Sequence, residues 1–209
     1  MGIFNSFLNK IDTILFPEKC ICCKKMGDTL CFTCIKQIPR PERDLPEYIY
    51  AVFEYRNQFV KKILTDAKYR KRFSGLKVFG NLLHDTLQEI INEYIELTNY
   101  SRIIVIPVPI SNKRYKKRGF NQAEILVNEI FLNIKDKNVI KENNLVLKVK
   151  DKTPQASIKS RSQRLKSPIG TFELNKNKIE LLQNSLCIIV DDITTTGGTI
   201  SEVGRVLIK

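Results

Sequence analysis

Unbroken apolar runs alternate along this chain with stretches of helical spacing. Residues 186–190, Leu-Cys-Ile-Ile-Val, are a short β-branched run that reads as a strand buried on both faces. From Thr199 the period changes. Ile200, Val203, Val206 and Leu207 are apolar, with Ser201, Glu202 and Arg205 between them, which is the spacing of a helix. Residues 103–106 repeat the strand signature, Pro107-Val108-Pro109 ends it, and a helix follows through Ile125, Leu126, Ile130 and Phe131. Upstream, Asn57 opens a basic amphipathic helix through Leu64 and Ala67. A long helix runs from Leu76 to about Leu97, with Leu82, Leu83, Leu87, Ile90, Ile91, Tyr94 and Ile95 toward the core. Residues 48–55, YIYAVFEY, read as a strand, residues 145–149 as another, and residues 172–174 as a short one. Residues 3–15 carry a helical apolar stripe. Residues 151–167 are polar and basic, suited to a catalytic lid or a passive loop.

The turn between the last strand and the last helix holds the densest chemistry. Asp191 and Asp192 are followed by Ile193, then Thr194, Thr195, Thr196, Gly197, Gly198 and Thr199. A Gly/Thr turn entering a helix aims N–H groups and hydroxyls inward, and the helix N-terminus adds a positive dipole end. That geometry suits a phosphate. Carboxylates repel phosphate, so the acids should serve a neutral polyol or a cation beside it, as in a sugar phosphate with vicinal hydroxyls. The plain alternative is a strand-to-helix turn with Asp192 as N-cap. A second basic segment, Lys113, Arg114, Lys116, Lys117 and Arg118, reads as a loop after the strand at 103–106, where α/β proteins bind ligands.

Composition sharpens this picture in one respect. Of 209 residues, 35 are Lys or Arg and 22 Asp or Glu, a net charge of +13, while hydrophobic content is an ordinary 43%. Such a balance favours phosphates, pyrophosphate or nucleic acid, or gives a solvated basic surface. Lys68, Arg70 and Arg72, interleaved with Tyr69, are candidate contacts to single-stranded nucleic acid. No apolar run approaches the roughly 20 residues that span a bilayer. Polar residues interrupt the N-terminal stripe, so it lacks a signal-peptide core and a cytoplasmic protein is expected. His84 is the sole histidine, which disfavours histidine-dependent mechanisms.

Cys20 and Cys23 form one C-x-x-C pair and Cys31 and Cys34 another. Two such turns can close a tetrahedral site for a structural Zn²⁺, with redox chemistry or free thiols as alternatives. Gly27 supplies the turn between them. Adjacent cysteines rarely share one ion, so Cys22 is left out. Cys187 reads as a small core residue.

The acid–threonine run resembles the phosphoribosyl-pyrophosphate (PRPP) motif of type I phosphoribosyltransferases. With LFPEKCICC and LCFTC, AKYRKRF, IPVPISNKRYKKRGFNQAEIL, KTPQASIKSRSQR and IIVDDITTTGGTI in order, the whole chain resembles the ComF family. The resemblance implies an α/β type I phosphoribosyltransferase fold, a parallel sheet with helices on both faces. It also implies an N-terminal helix and zinc module over residues 1–40, with the phosphoribosyltransferase-like domain over residues 41–209. A cytoplasmic role in natural competence and DNA uptake follows, with single-stranded DNA and competence-machinery proteins as partners. The family runs on after the last helix into one more strand, so with the sequence ending at Lys209 a narrower sheet or a shortened chain is expected.

On that resemblance the expected chemistry is glycosyl transfer from Mg²⁺-bound PRPP. Thr194, Thr195, Thr196, Gly197, Gly198 and Thr199 would hold the 5′-phosphate, and Asp191 and Asp192 the ribose hydroxyls. Lys113, Arg114 and Arg118 would neutralise pyrophosphate, with Asp191, Asp192 and Arg118 catalytic. Two rivals stand beside it: a single-stranded DNA or uptake-machinery binding protein that keeps the pocket without turnover, and a PRPP sensor.

Overall fold

The computed structural model describes residues 18–41, 45–97, 99–150 and 168–208. The expected N-terminal helix and the polar stretch 151–167 lie outside them. The described elements are α1 (Phe32–Lys36), α2 (Gln58–Arg70), α3 (Ser74–Leu97), β1 (Arg102–Pro107), α4 (Asn112–Arg118), α5 (Gln122–Ile130), β2 (Val139–Lys141), β3 (Val146–Lys148), β4 (Phe172–Leu174), a 3₁₀ turn (Lys176–Leu182), β5 (Ser185–Val190) and α6 (Gly198–Leu207).

Three strands form a parallel sheet in the order β2-β1-β5, with Ile104 opposite both Ile140 and Cys187. Alternation along β1 divides its side chains between two layers. Ile103 and Val105 join α2, α3 and α5 in the larger core, while Ile104 and Ile106 pack with Leu145, the 3₁₀ turn and Leu207 of α6. Helices therefore cover both faces. Cys20, Leu30, Cys34 and Ile38 belong to the same larger core, so the cysteine-bearing segment is packed onto α2 and α3. Asn57 caps α2 by accepting N–H bonds from Phe59 and Val60.

Several sequence expectations need correction. Residues 48–55 form no strand. Their backbone groups are spent on turns, Ile49 N–H to the Pro46 carbonyl (2.8 Å) and Glu54 N–H to the Pro39 carbonyl (3.0 Å), and Phe53 stacks on Phe79 at 4.8 Å. The basic segment at 112–118 is helix, not loop. Ser111 caps it through the Arg114 N–H, and Gly119, at φ +82, ends it. With no buried residue, α4 has no apolar period to read. The strand at 145–149 is shorter and pairs antiparallel with β4, outside the parallel sheet. The third parallel strand is instead the three-residue β2, too short to show a pattern.

The strand at 186–190 is only half-buried, not buried on both faces. Among the described residues β5 is a sheet edge. Its outer flank opens on a groove of about 770 Å³, walled by α2 and α3 (Leu64, Leu83, Ile90) and by α6 (Ile200, Gly204). Cys187 shares that half-burial, which pushes its thiol up to about 11.

Candidate functional site

Strand order sets where a ligand can enter. From β1 the chain crosses through α5 to β2 on one side, while β5 lies on the other side, so the loops leaving β1 and β5 diverge. A crevice at the carboxyl ends of two such strands is the usual ligand position in open α/β sheets. The Val108 N–H donates to the Val190 carbonyl at 2.8 Å, holding the two loop origins together. Asp191 and Asp192 follow at once.

Both acids are half-buried, and the Asp192 N–H donates to Asp191 Oδ1 at 2.9 Å. Burial, with the neighbouring Asp192 charge behind it, raises Asp191 well above the usual carboxylate range. The Asp192 N–H and the charge of Lys148 pull the other way. Burial also raises Asp192, opposed by its bond to Asp191 and by the charges of Arg118 and Lys68. Two carboxylates in one low-dielectric site cannot both ionise freely. A hydroxyl donor or a cation would relieve them.

Beyond the acids, Gly197 adopts φ +77 and precedes α6. A Cβ there would lie 2.7 Å from Ile49 Cδ1, so glycine lets this corner close over residues 45–55 without displacing that side chain. The Gly197 N–H donates to Thr194 Oγ1 at 3.2 Å, making a compact turn lined by Thr194 to Thr199. Thr196 Oγ1 is buried and has no hydrogen-bond partner. A buried hydroxyl without a partner costs about 1–3 kcal/mol, so Thr196 carries an unsatisfied donor in the turn that leads into α6.

Residues 118–122 join α4 to α5. Gly119 and Phe120 turn the chain, and Phe120 meets Phe73 edge-to-face at 4.8 Å. Buried Asn121 donates to the Val108 carbonyl (3.0 Å) while accepting from the Ala123 N–H (3.2 Å), and Gln122 donates to the Leu64 carbonyl (3.3 Å). Asn121 and Gln122 are thus scaffold. They fasten the loop after β1 and α2 to the start of α5, and the charge of Arg118 reaches Asp192.

The cysteine predictions converge. The sulfurs of Cys20, Cys23, Cys31 and Cys34 lie within 4.8 Å of one another, and Cys22 is not among them. Cys23 and Cys31 sulfurs are 3.7 Å apart. A tetrahedral zinc with bonds of about 2.3 Å would hold its sulfurs about 3.8 Å apart, so the donor set fits. Gly27, at φ +129, turns the chain between the pairs. Burial raises the Cys20 thiol, yet backbone N–H groups of Cys31, Cys23 and Cys22 outweigh it and bring it down to about 6, which favours a thiolate ligand. Burial pushes Cys34 up.

The chain is 31% identical to the competence protein ComFC of Streptococcus pneumoniae over 157 residues, covering 75% of this chain and 60% of that protein. It is 36% identical to competence protein F of Haemophilus influenzae over 107 residues, half of this chain and 44% of that protein. The chain belongs to the ComF family. A DNA utilization protein of Salmonella typhi is 27% identical over 108 residues, half of this chain and 43% of that protein. The chain spans about half the length of these relatives. No profile of a known protein family and no solved structure matches it.

Within this ComF chain, Asp191, Asp192 and the Thr194–Thr199 turn lie together after β5, and the charge of Arg118 reaches Asp192. Lys113, at the far end of α4, is exposed, while Arg114 is half-buried. Arg70 is engaged elsewhere, 3.2 Å from Asp66 of its own helix, and Arg72 is exposed. The charge of Lys148 acts on Asp191 and was not anticipated, because nothing near it in sequence ties β3 to the acid pair. Glu202 was also missed. It is buried, accepts from the Gly170 N–H (2.7 Å) and holds Arg205 through two bonds of 2.7 Å, which tethers the approach to β4 onto α6. His84 places Nδ1 3.1 Å from the Ile130 carbonyl, a packing role. No described helix is long and apolar enough to cross a membrane.

Proposed function

We propose that this chain is a PRPP-binding, Mg²⁺-dependent phosphoribosyltransferase-like protein that works in the cytoplasm during DNA uptake. One observation carries the reading: the buried, partnerless hydroxyl of Thr196, in the turn between an acid pair and a helix N-terminus. A 5′-phosphate seated there accepts from that hydroxyl and from the first N–H groups of α6. Asp191 and Asp192 then accept the ribose 2′- and 3′-hydroxyl protons, at about 1.5–3 kcal/mol for each charge-assisted bond. As pyrophosphate departs, positive charge grows on the ribose ring, and the same carboxylates stabilise it. Arg118, with Lys113 and Arg114 of α4, receives the charge accumulating on the leaving group. Mg²⁺ bound with the substrate would supply further charge neutralisation for the pyrophosphate leaving group. Cys20, Cys23, Cys31 and Cys34 hold a structural Zn²⁺ that braces α1 against the main core.

The names of the relatives, which concern competence and DNA utilization, support the cellular setting. Titration calorimetry with Mg²⁺-PRPP tests binding, and a pyrophosphate-release screen across bases and amines tests turnover. Absence of binding by the zinc-loaded protein refutes the proposal.

A second reading has its own support. Tyr69 is 71% exposed and sits among Lys68, Lys117 and Arg118, whose bonding and charges lower its phenol. An exposed ring among cations suits base stacking, so a single-strand binding protein without turnover is the alternative. Salt-sensitive binding of oligothymidylate with no pyrophosphate release would favour it.

A further inference from the structure

The outer flank of β5 carries backbone groups that the sheet does not use. The Val190 carbonyl accepts from the Val108 N–H, so the backbone of Val190 faces β1. By the two-residue period of a strand, Leu186 and Ile188 face the same way, and the N–H and carbonyl groups of Cys187 and Ile189 point outward. No backbone group pairs with them among the described residues. Sheet edges are usually blunted by a charge, a proline or a bulge. β5 has none of these: Ser-Leu-Cys-Ile-Ile-Val runs in unbroken register with β1 from Ser185 to Val190.

The groove beside this edge has the dimensions of one more strand. Leu186 to Val190 line it along their length, with Leu83 and Ile90 of α3 on one face and Ile200 and Gly204 of α6 on the other. In a sheet covered on both faces one strand residue fills about 160 Å³, from a rise of about 3.3 Å, a strand spacing of about 4.8 Å and a layer spacing of about 10 Å. At about 770 Å³ the groove takes about five residues, matching the five of β5 that line it. A helix closes its own hydrogen bonds and would leave Cys187 and Ile189 unpaired, as would a lipid chain. Charge narrows the occupant further. In a chain of net charge +13 this groove is lined by Glu54, Asp191 and Asp192. Its one lining cation among the described residues, Arg205, is held by Glu202 through two bonds of 2.7 Å.

We propose that the groove is a strand-acceptor site, in which a basic, apolar segment of about five residues from a partner polypeptide pairs with Cys187 and Ile189 and extends the sheet past β5. Backbone pairing supplies the register, the two apolar walls select side chains on both faces, and the acids select positive charge. The inference goes beyond the PRPP reading and does not rest on it.

The test is residue-resolved amide hydrogen exchange and calorimetry on the zinc-loaded chain. The probe is a peptide of about five alternating valines and isoleucines with lysine at each end. Controls are the same peptide with glutamate ends, and two versions N-methylated at alternate residues, one of which removes the donors that would face β5. On the protein side, Gly204→Leu pushes a side chain into the groove from α6. A Cβ there meets Ile189 Cδ1 at an ordinary 3.8 Å, and leucine is a better helix former than glycine, so folding is kept. The lysine peptide should slow exchange at Cys187 and Ile189 about ten-fold or more. Glutamate ends, one of the two N-methylated versions and Gly204→Leu should each weaken binding about ten-fold or more, with the Tm of Gly204→Leu no lower than that of wild type. The proposal is overturned if both N-methylated versions bind as the parent does, which marks apolar adsorption only. Equal affinity for the glutamate peptide, or unchanged binding to folded Gly204→Leu, would also overturn it. So would Cys187 and Ile189 amides already protected in the free chain, because a second copy or another part of the chain then covers the edge; sedimentation tells those two apart.

Discussion

Gly197 offers a quantitative handle on the acid-pair loop. Gly197→Ala introduces a methyl at φ +77, where an L-residue pays about 1–2 kcal/mol. The new Cβ also meets Ile49 Cδ1 at 2.7 Å. Because that atom ends a flexible side chain, it can move aside at an off-rotamer cost of about 0.5–1.5 kcal/mol. Alanine narrows the unfolded ensemble and returns about 0.4–1 kcal/mol. The balance is a destabilisation of about 0.5–3 kcal/mol, centred near about 2, which lowers the Tm by about 4–8 °C for a chain of this size. Thermal scans of the zinc-loaded protein measure it. Ile49→Val removes only the clashing methyl, so the double variant should cost less than the two singles combined by about 0.5–1.5 kcal/mol, the contact share. If Gly197→Ala melts with wild type, the left-handed turn and its closure over Ile49 are refuted.

Two more outcomes follow from the same geometry. Metal analysis should find about one Zn²⁺ per chain, released by Ser at Cys20, Cys23, Cys31 or Cys34 and retained in Cys22→Ser; a folded, zinc-free protein would contradict the cluster. Asp191 has a raised folded pKa, so the folded state binds its proton more tightly than the unfolded chain does. The stability it contributes is present below the unfolded value of about 3.9 and lost as pH rises through the folded value. Asp191→Asn should therefore raise the Tm at neutral pH, with the gain vanishing toward about pH 4; a variant less stable than wild type at neutral pH would reverse that sign.

What the sequence disclosed and what it concealed follow from range. The strand at 186–190, its acid–threonine turn and the helix behind it are contiguous, so local pattern suffices to read them. The two C-x-x-C pairs are likewise local. Lys148 of β3 acts on Asp191, and Lys68 of α2 on Asp192, through charge, and no local pattern announces which strands or helices will be neighbours. The basic helix α4 buries nothing, so it lacks the period that would mark it. Residues 48–55 carry a strand-like alternation, yet they spend it on packing against Phe79 and Gly197, with no ladder beside them. Tertiary contact overrode local preference there.

The most direct test of the PRPP assignment separates ribose recognition from phosphate binding at the acid pair. Mg²⁺-PRPP and pyrophosphate are titrated into wild type, Asp191→Asn and Asp192→Asn, the amide keeping shape and one acceptor while removing charge. Each substitution should weaken PRPP about ten-fold or more, because a charge-assisted hydroxyl bond is lost. Pyrophosphate carries no ribose, so its affinity should hold or tighten as a repelling carboxylate disappears. Equal weakening of both ligands, or no binding of PRPP to wild type, would contradict the account.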